Sequence, residues 1–192
     1  MVRSIFYFIL FVISLNRVAA QRPWSLSVFN HAAALPGGTW AGAFHPGFDL
    51  SLRTGIKNRP KSQTYFQHNL GYYYHRLVHH GTQLYSEYHW DANLMSRFGV
   101  GIAGGLGLLH TKEIHEIFTL ENGEYQRIGR LGKLHGQASV AVKLWYLSQN
   151  KKIQPFVAYR FRLVSPFVKE YVPLLPAVSL HAGLAFNIEH LK

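Results

Sequence analysis

Lys133–Tyr146 reads KLHGQASVAVKLWY. Leu134, Gly136, Ala138, Val140, Val142, Leu144 and Tyr146 form one alternating set, apolar or small throughout. Lys133, His135, Gln137, Ser139, Ala141, Lys143 and Trp145 form the other, which carries the polar groups. A period of two belongs to an extended strand, whose successive side chains point to opposite faces. The spacing predicts a strand over 132–147 with one apolar and one mixed polar face.

The same alternation recurs on either side of this stretch. Strands are expected at 24–33, 46–56, 64–77, 82–91, 97–109, 132–147, 152–164 and 177–188, eight in all. Phe48, Leu50, Leu52 and Ile56 oppose Asp49, Ser51, Arg53 and Gly55. Phe98, Val100, Ile102, Leu106 and Leu108 oppose Arg97 and a run of small residues, Gly99, Gly101, Ala103, Gly105 and Gly107. Val178, Leu180, Ala182, Leu184 and Phe186 oppose Ser179, His181, Gly183 and Ala185. Most segments reach the ~9–11 residues that a tilted strand needs to cross a bilayer. Links at 57–62, 92–96 and 148–151 are short, whereas 34–45, 110–131 and 165–176 are long. That alternation is expected of a barrel with tight turns at one rim and loops at the other; the short link at 79–81 is the exception.

Alternation alone does not say which face meets the centre. A water-soluble, lipocalin-like barrel turns its apolar face inward around a ligand. Two features favour the opposite arrangement. The polar face is rich in Gly and Ala, which suits a narrow, filled interior better than a water-facing surface. Tyr72, Tyr74, Tyr88, Trp90, Tyr146 and Tyr159 fall on the apolar face near strand ends, as in the aromatic girdles of membrane barrels.

Composition agrees. Charged residues are 15% of the 192 and aromatics another 15%, with 17 Gly. There is no Cys, so disulfide scaffolds, thiolate metal sites and Cys nucleophiles are excluded. The net charge of +11 is scattered along the strands rather than gathered in a basic stripe, which argues against nucleic acid and for anionic lipopolysaccharide. Residues 1–20, MVRSIFYFILFVISLNRVAA, have a basic start at Arg3, an apolar run from Ile5 to Leu15 and small residues at Val18-Ala19-Ala20. This is the layout of a cleaved secretory signal, leaving 21–192 as one barrel domain. No later apolar stretch reaches 18 residues, so a spanning mature chain must be a closed barrel.

With signal, strand number and link alternation together, residues 21–192 resemble the small outer-membrane barrels of the OmpA-barrel and OmpX kind. The resemblance is architectural and implies an all-β, antiparallel, up-and-down, eight-stranded transmembrane barrel in the cell outer membrane of a Gram-negative bacterium. Such barrels often end on an aromatic residue; here the last strand holds Phe186 and the chain continues to Lys192.

The expected lumen carries Asp49, Glu87, Asp91 and Glu189 with Arg53, Arg97, Lys143, Arg160 and Arg162, and His89, His135 and His181 between them. Charges in a narrow interior must pair, so a structural salt-bridge network is expected, with a conduit or catalytic site as the alternative. The 12 His include His75, His79 and His80 near one turn and His110 and His115 in the longest loop, without zinc-motif spacing, which favours solvated or interfacial imidazoles. Ser86 faces away from Glu87 and His89, His135 and Ser139 are ~13 Å apart along one strand, and no GxSxG occurs, so no catalytic residue is assigned. Gly99-x-Gly101-x-x-Gly104 lies within a strand with no helix to follow and is not a dinucleotide site. No cofactor or metal is expected. The expected role is structural or surface-interacting, with no large pore; outer-membrane lipid and lipopolysaccharide are the expected partners, any further contact running through 110–131. Two alternatives stand beside it: a barrel enzyme acting on lipid or lipopolysaccharide, and a secreted soluble carrier of an apolar ligand.

Overall fold

The structure is a computed structural model and describes residues 23–37, 44–76, 78–115, 117–121, 124–128, 132–149, 152–166 and 173–186. Glu189 and the signal segment 1–20 lie outside them. Ten strands follow in chain order: β1 Trp24–Ala32, β2 Pro46–Asn58, β3 Ser62–His75, β4 His79–Asn93, β5 Phe98–Glu113, β6 Ile117–Glu121, β7 Glu124–Ile128, β8 Lys133–Tyr146, β9 Ile153–Ser165 and β10 Leu175–Phe186. Eight of them close into one antiparallel barrel in the order β1-β10-β9-β8-β5-β4-β3-β2. The ring is sealed by β1 against β10, from Trp24↔Phe186 to Ala32↔Val178. Closure gives each of these eight strands a partner on both sides.

β6 and β7 pair only with each other, as a hairpin between β5 and β8. The sequence predicts a long loop over 110–131; β5 instead runs on to Glu113, and the β6–β7 hairpin takes up much of the rest. The links after β1 and β9, this hairpin and the tight β3–β4 turn share one rim, called here the loop end. The opposite rim, with the β2–β3, β4–β5 and β8–β9 links, is the turn end.

The faces sort by parity. Leu134, Val140 and Leu184 are 63%, 56% and 42% exposed on the outside. A soluble barrel with its apolar side chains in the centre therefore does not describe this chain. Val178 departs from the pattern, since it has outward parity yet is fully covered. Rings gather on the outer wall toward both rims. Trp24 stacks on Phe186 at 4.2 Å, and Phe98 meets Tyr146 at 4.8 Å, at the turn end. Phe48 meets Tyr72 at 5.9 Å nearer the loop end.

One irregularity bends the wall. Thr54 pairs with Phe66 and Lys57 with Thr64, so Gly55 and Ile56 together face Tyr65. Gly55 has φ of 61° there, a conformation that L side chains rarely adopt and that a bulge of this kind requires.

Inside, large side chains stand opposite glycines on the neighbouring strand. Asp49 faces Gly71, Glu87 faces Gly105, Tyr85 faces Gly107 and Asp91 faces Gly101. A Cβ added at Gly105 would collide with the Ser86 carbonyl oxygen and with Glu87. Gly105→Val is therefore expected to destabilise the barrel by about 1–3 kcal/mol through overpacking. Urea unfolding of the refolded protein measures this, with Gly104→Val as the comparison: Gly104 points outward and a Cβ there finds ordinary contact at 3.8 Å.

Candidate functional site: a charged plug and two chambers

Parity places the polar side chains in the lumen, and the cross-strand glycines let them reach the axis. Asp49 on β2, Glu87 and Asp91 on β4, Lys143 on β8 and Arg53, Arg160 and Arg162 on β2 and β9 are each at most 5% exposed. Among the described residues three carboxyl groups thus face one lysine and three arginines.

At the centre Arg160 grips Glu87 with two parallel bonds, Nε to Oε1 and Nη2 to Oε2, both 2.8 Å. This fork is the strongest ordinary ion-pair geometry. The Ser139 hydroxyl donates to Glu87 Oε1 at 2.8 Å. His89 Nε2 lies 3.4 Å from Glu87 Oε2, within ion-pair range but without hydrogen-bond geometry. Asp49 accepts from the Tyr85 hydroxyl at 2.6 Å and from Gln83 at 3.1 Å, and Arg160 Nη1 approaches it at 3.4 Å.

A second cluster lies nearer the turn end. Lys143 Nζ donates to Asp91 at 2.7 Å and to the Tyr65 oxygen at 2.6 Å, while the Tyr65 hydroxyl donates to Asp91 at 3.0 Å. Arg53 lies over the Tyr65 ring at 4.7 Å and donates to Gln154 at 3.1 Å. Arg160 and Arg162 lie 5.2 and 5.3 Å from the Tyr85 ring centre. Cations over ring faces gain electrostatic stabilisation, for Arg160 in addition to its carboxylate partners.

Two chambers with no lining residue in common flank the plug, and a void of about 10 Å³ remains within it against Arg53, His89, Lys143 and Arg160. The loop-side chamber, about 210 Å³, reaches from Gln83 and Arg162 to Val78 and Leu175. The turn-side chamber, about 350 Å³, lies against Arg53, Asp91, Trp145 and Gln154.

Ten of the expected lumen residues, Asp49, Arg53, Glu87, His89, Asp91, His135, Lys143, Arg160, Arg162 and His181, are buried here. Arg97 is a correction: it is exposed in the β4–β5 turn, one residue before β5 begins, so the parity of that strand does not extend to it. His135 stands apart from the plug, near the loop end, with Thr111 Oγ1 2.8 Å from its Nε2. The imidazoles also differ from the solvated reading: His31 and His79 are buried, His45 stacks on His75 at 3.8 Å, and His75 on His79 at 5.2 Å. Among the described residues no three of His, Asp and Glu are disposed to hold a metal ion.

Serine–histidine contacts in the lumen, where Ser27 Oγ also lies 3.5 Å from His181 Nδ1, and on the outer wall escaped the sequence reading. Ser179 Oγ is 2.9 Å from His181 Nε2, and Asp49 Oδ2 is 3.5 Å from His181 Nδ1. These are the residue types of a hydrolytic triad, but both side chains are fully buried and Arg162 Nη1 donates to that hydroxyl at 2.9 Å. Neither residue lines either chamber. The other contact is on the outer wall. His68 Nδ1 lies 2.8 Å from Ser86 Oγ, and its Nε2 lies 3.0 Å from Thr54 Oγ1. Ser179 and His181 are two residues apart on β10, so parity alone puts them on one face; His68 and Ser86 are opposed across β3 and β4, and that register was the missing information.

No protein-family model matches the sequence, and no curated protein does. Solved structures do resemble it. Neisserial surface protein A (NspA) is similar with a TM-score of 0.58 at 10% identity, over 86% of this chain and 95% of that one. The outer membrane enzyme PagL gives 0.48 at 13% identity over 84% and 97%. The N-terminal β-barrel domain of Pseudomonas aeruginosa OprF gives 0.46 at 12% identity over 86% and 98%. At such identity the likeness is one of fold, and the fold is that of the small eight-stranded outer-membrane barrels.

Proposed function

We propose that the protein is an outer-membrane barrel of a Gram-negative bacterium with a structural or surface-interaction role, exported by the signal at 1–20 and inserted as the domain 21–192. The observation that carries this reading is the apolar outer wall of a closed ring whose axis is filled by charge. Apolar side chains left outward are stabilised by hydrocarbon, and closure satisfies the backbone where water is absent. Membrane lipid and lipopolysaccharide are the partners of the wall. The β6–β7 hairpin, with Tyr125 77% exposed, is the element best placed for a further contact at the loop end. The lumen residues act as a structural plug.

Cell fractionation followed by electrophoresis of heated and unheated samples tests the assignment. The expected result is an outer-membrane pool whose mobility shifts on heating. A soluble periplasmic pool with no shift overturns it. In planar bilayers the plug is expected to hold the protein closed, with no steady open channel, because eight strands leave room for little beyond side chains.

A lipid-directed enzyme is the second reading, favoured by Thr54, His68 and Ser86 on the outer wall. A hydroxyl bonded to an imidazole that is oriented by a third group is the arrangement of an activated nucleophile. Against it, Ser86 sits where β4 is paired on both sides, to β3 and β5. Those ladders occupy the nearby backbone N–H groups that an oxyanion would need. Fatty-acid release from vesicles by the reconstituted protein, compared with Ser86→Ala, decides it: equal release by the two ends this reading.

A further inference from the structure

The loop-side chamber contains polar groups that the plug does not use. Gln137 is 5% exposed, and neither its Nε2 nor its Oε1 has a hydrogen-bond partner. Arg162 is 2% exposed; its Nη1 donates to Ser179 at 2.9 Å and its Nη2 reaches the Tyr85 hydroxyl at 3.5 Å, but its Nε–H has no acceptor. Among the described residues no carboxylate lies within ion-pair distance of Arg162. Buried polar groups are ordinarily satisfied, and a guanidinium with an idle Nε–H and no carboxylate partner beside an unpartnered amide is the kind of exception that needs a cause.

Their placement supplies one. Gln137 stands opposite Val164 and Arg162 opposite Ser139 on the β8–β9 pair. The two therefore project inward from diagonal positions, ~7–8 Å apart at the start of their side chains. Leu109, Val164, Leu175 and the Tyr73 ring form an apolar wall to the same cavity. A few convergent polar groups against such a wall is the usual make-up of a small-molecule site.

We propose that this chamber binds a small organic carboxylate. One carboxylate oxygen takes the Arg162 Nε–H, the other takes the Gln137 Nε2–H, and the apolar body lies against Leu109, Val164, Leu175 and Tyr73. The donor set selects the anion: the Arg162 Nε–H and the Gln137 Nε2–H stand at diagonal positions on neighbouring strands, which suits the two oxygens of a carboxylate; His31 Nδ1 and His75 Nδ1, also unpartnered in this chamber, donate or accept according to tautomer, and a phosphate would bring its larger charge against the apolar wall. The size is bounded too, because about 210 Å³ is below the ~300–1,000 Å³ of ordinary ligand sites. This goes beyond the surface-interaction role and does not depend on it.

Ligand-observed NMR on the barrel refolded in detergent micelles tests the proposal, with protein-free micelles as the blank and benzoate, isovalerate and hexanoate as probes. At least one is expected to bind saturably, with a Kd of about 1 mM or tighter. Neutral benzamide is expected to bind about tenfold more weakly than benzoate, and inorganic phosphate not to displace the carboxylate. Gln137→Leu and Arg162→Gln are each expected to weaken binding about tenfold or more. Gln137→Leu keeps the side-chain bulk and removes only the unpartnered amide, so it decides the matter if Arg162→Gln fails to refold. Absence of saturation by all three probes up to about 10 mM overturns the proposal. So does benzamide binding as well as benzoate, displacement by phosphate, or unchanged affinity in the refolded Gln137→Leu protein.

Discussion

Arg160→Ala is expected to lower the unfolding free energy of the barrel by about 3–5 kcal/mol. The variant leaves Glu87, which is 0% exposed, without the fork that neutralises it, while Ser139 alone still donates to that carboxylate. The cost is that of an uncompensated buried charge rather than the worth of the pair. Replacing both partners separates the two quantities. Glu87→Met combined with Arg160→Met removes the pair together and leaves Asp49 its donors Tyr85 and Gln83, so most of the loss is expected to return. Urea titrations of wild type, single and double variants in lipid measure all three. A loss below about 1 kcal/mol for Arg160→Ala, the scale of an exposed pair, would mean that the plug does not hold the barrel together.

The second large effect comes from the opposite face. Val140 lies in the middle of β8 and is 56% exposed on the outer wall. In a water-soluble protein an arginine there would change stability by no more than about 0.5 kcal/mol. Against hydrocarbon, Val140→Arg is expected to cost about 2–4 kcal/mol, falling to about 0–1 kcal/mol for Tyr146→Arg at the rim. The difference between the two positions in reconstituted bilayers is the measurement. Equal, small costs at both would show that water rather than lipid touches the wall.

Much of this was legible in the sequence because period-two alternation carries two facts at once: that a strand exists and which residues share its face. Lys133–Tyr146 is the plainest case, with every residue from Leu134 to Trp145 falling on the face its parity assigns. Contacts were not legible, because they depend on register, and alternation looks the same whichever residues are opposed. Glu87 and Arg160 could be placed in the lumen, but not in each other's reach across four strands. The glycines of β5 were read as filler for a narrow interior; only the pairing Glu87↔Gly105 and Asp91↔Gly101 reveals that they make way for particular carboxylates. Arg97 was misplaced by carrying parity one residue past a strand end. The β6–β7 hairpin was missed although Asn122-Gly123, a dipeptide typical of two-residue hairpins, separates its strands.

The separation of the two chambers by the plug has a consequence for the membrane that holds such a protein. A wall perforated by wide rings would leak solutes in proportion to how many it carried. On the proposed function, a ring filled at its centre by Glu87, Arg160 and Asp49 and nearer the turn end by Lys143 and Asp91 is expected to add mechanical material without adding permeability, so that copy number is free to rise without loss of the barrier.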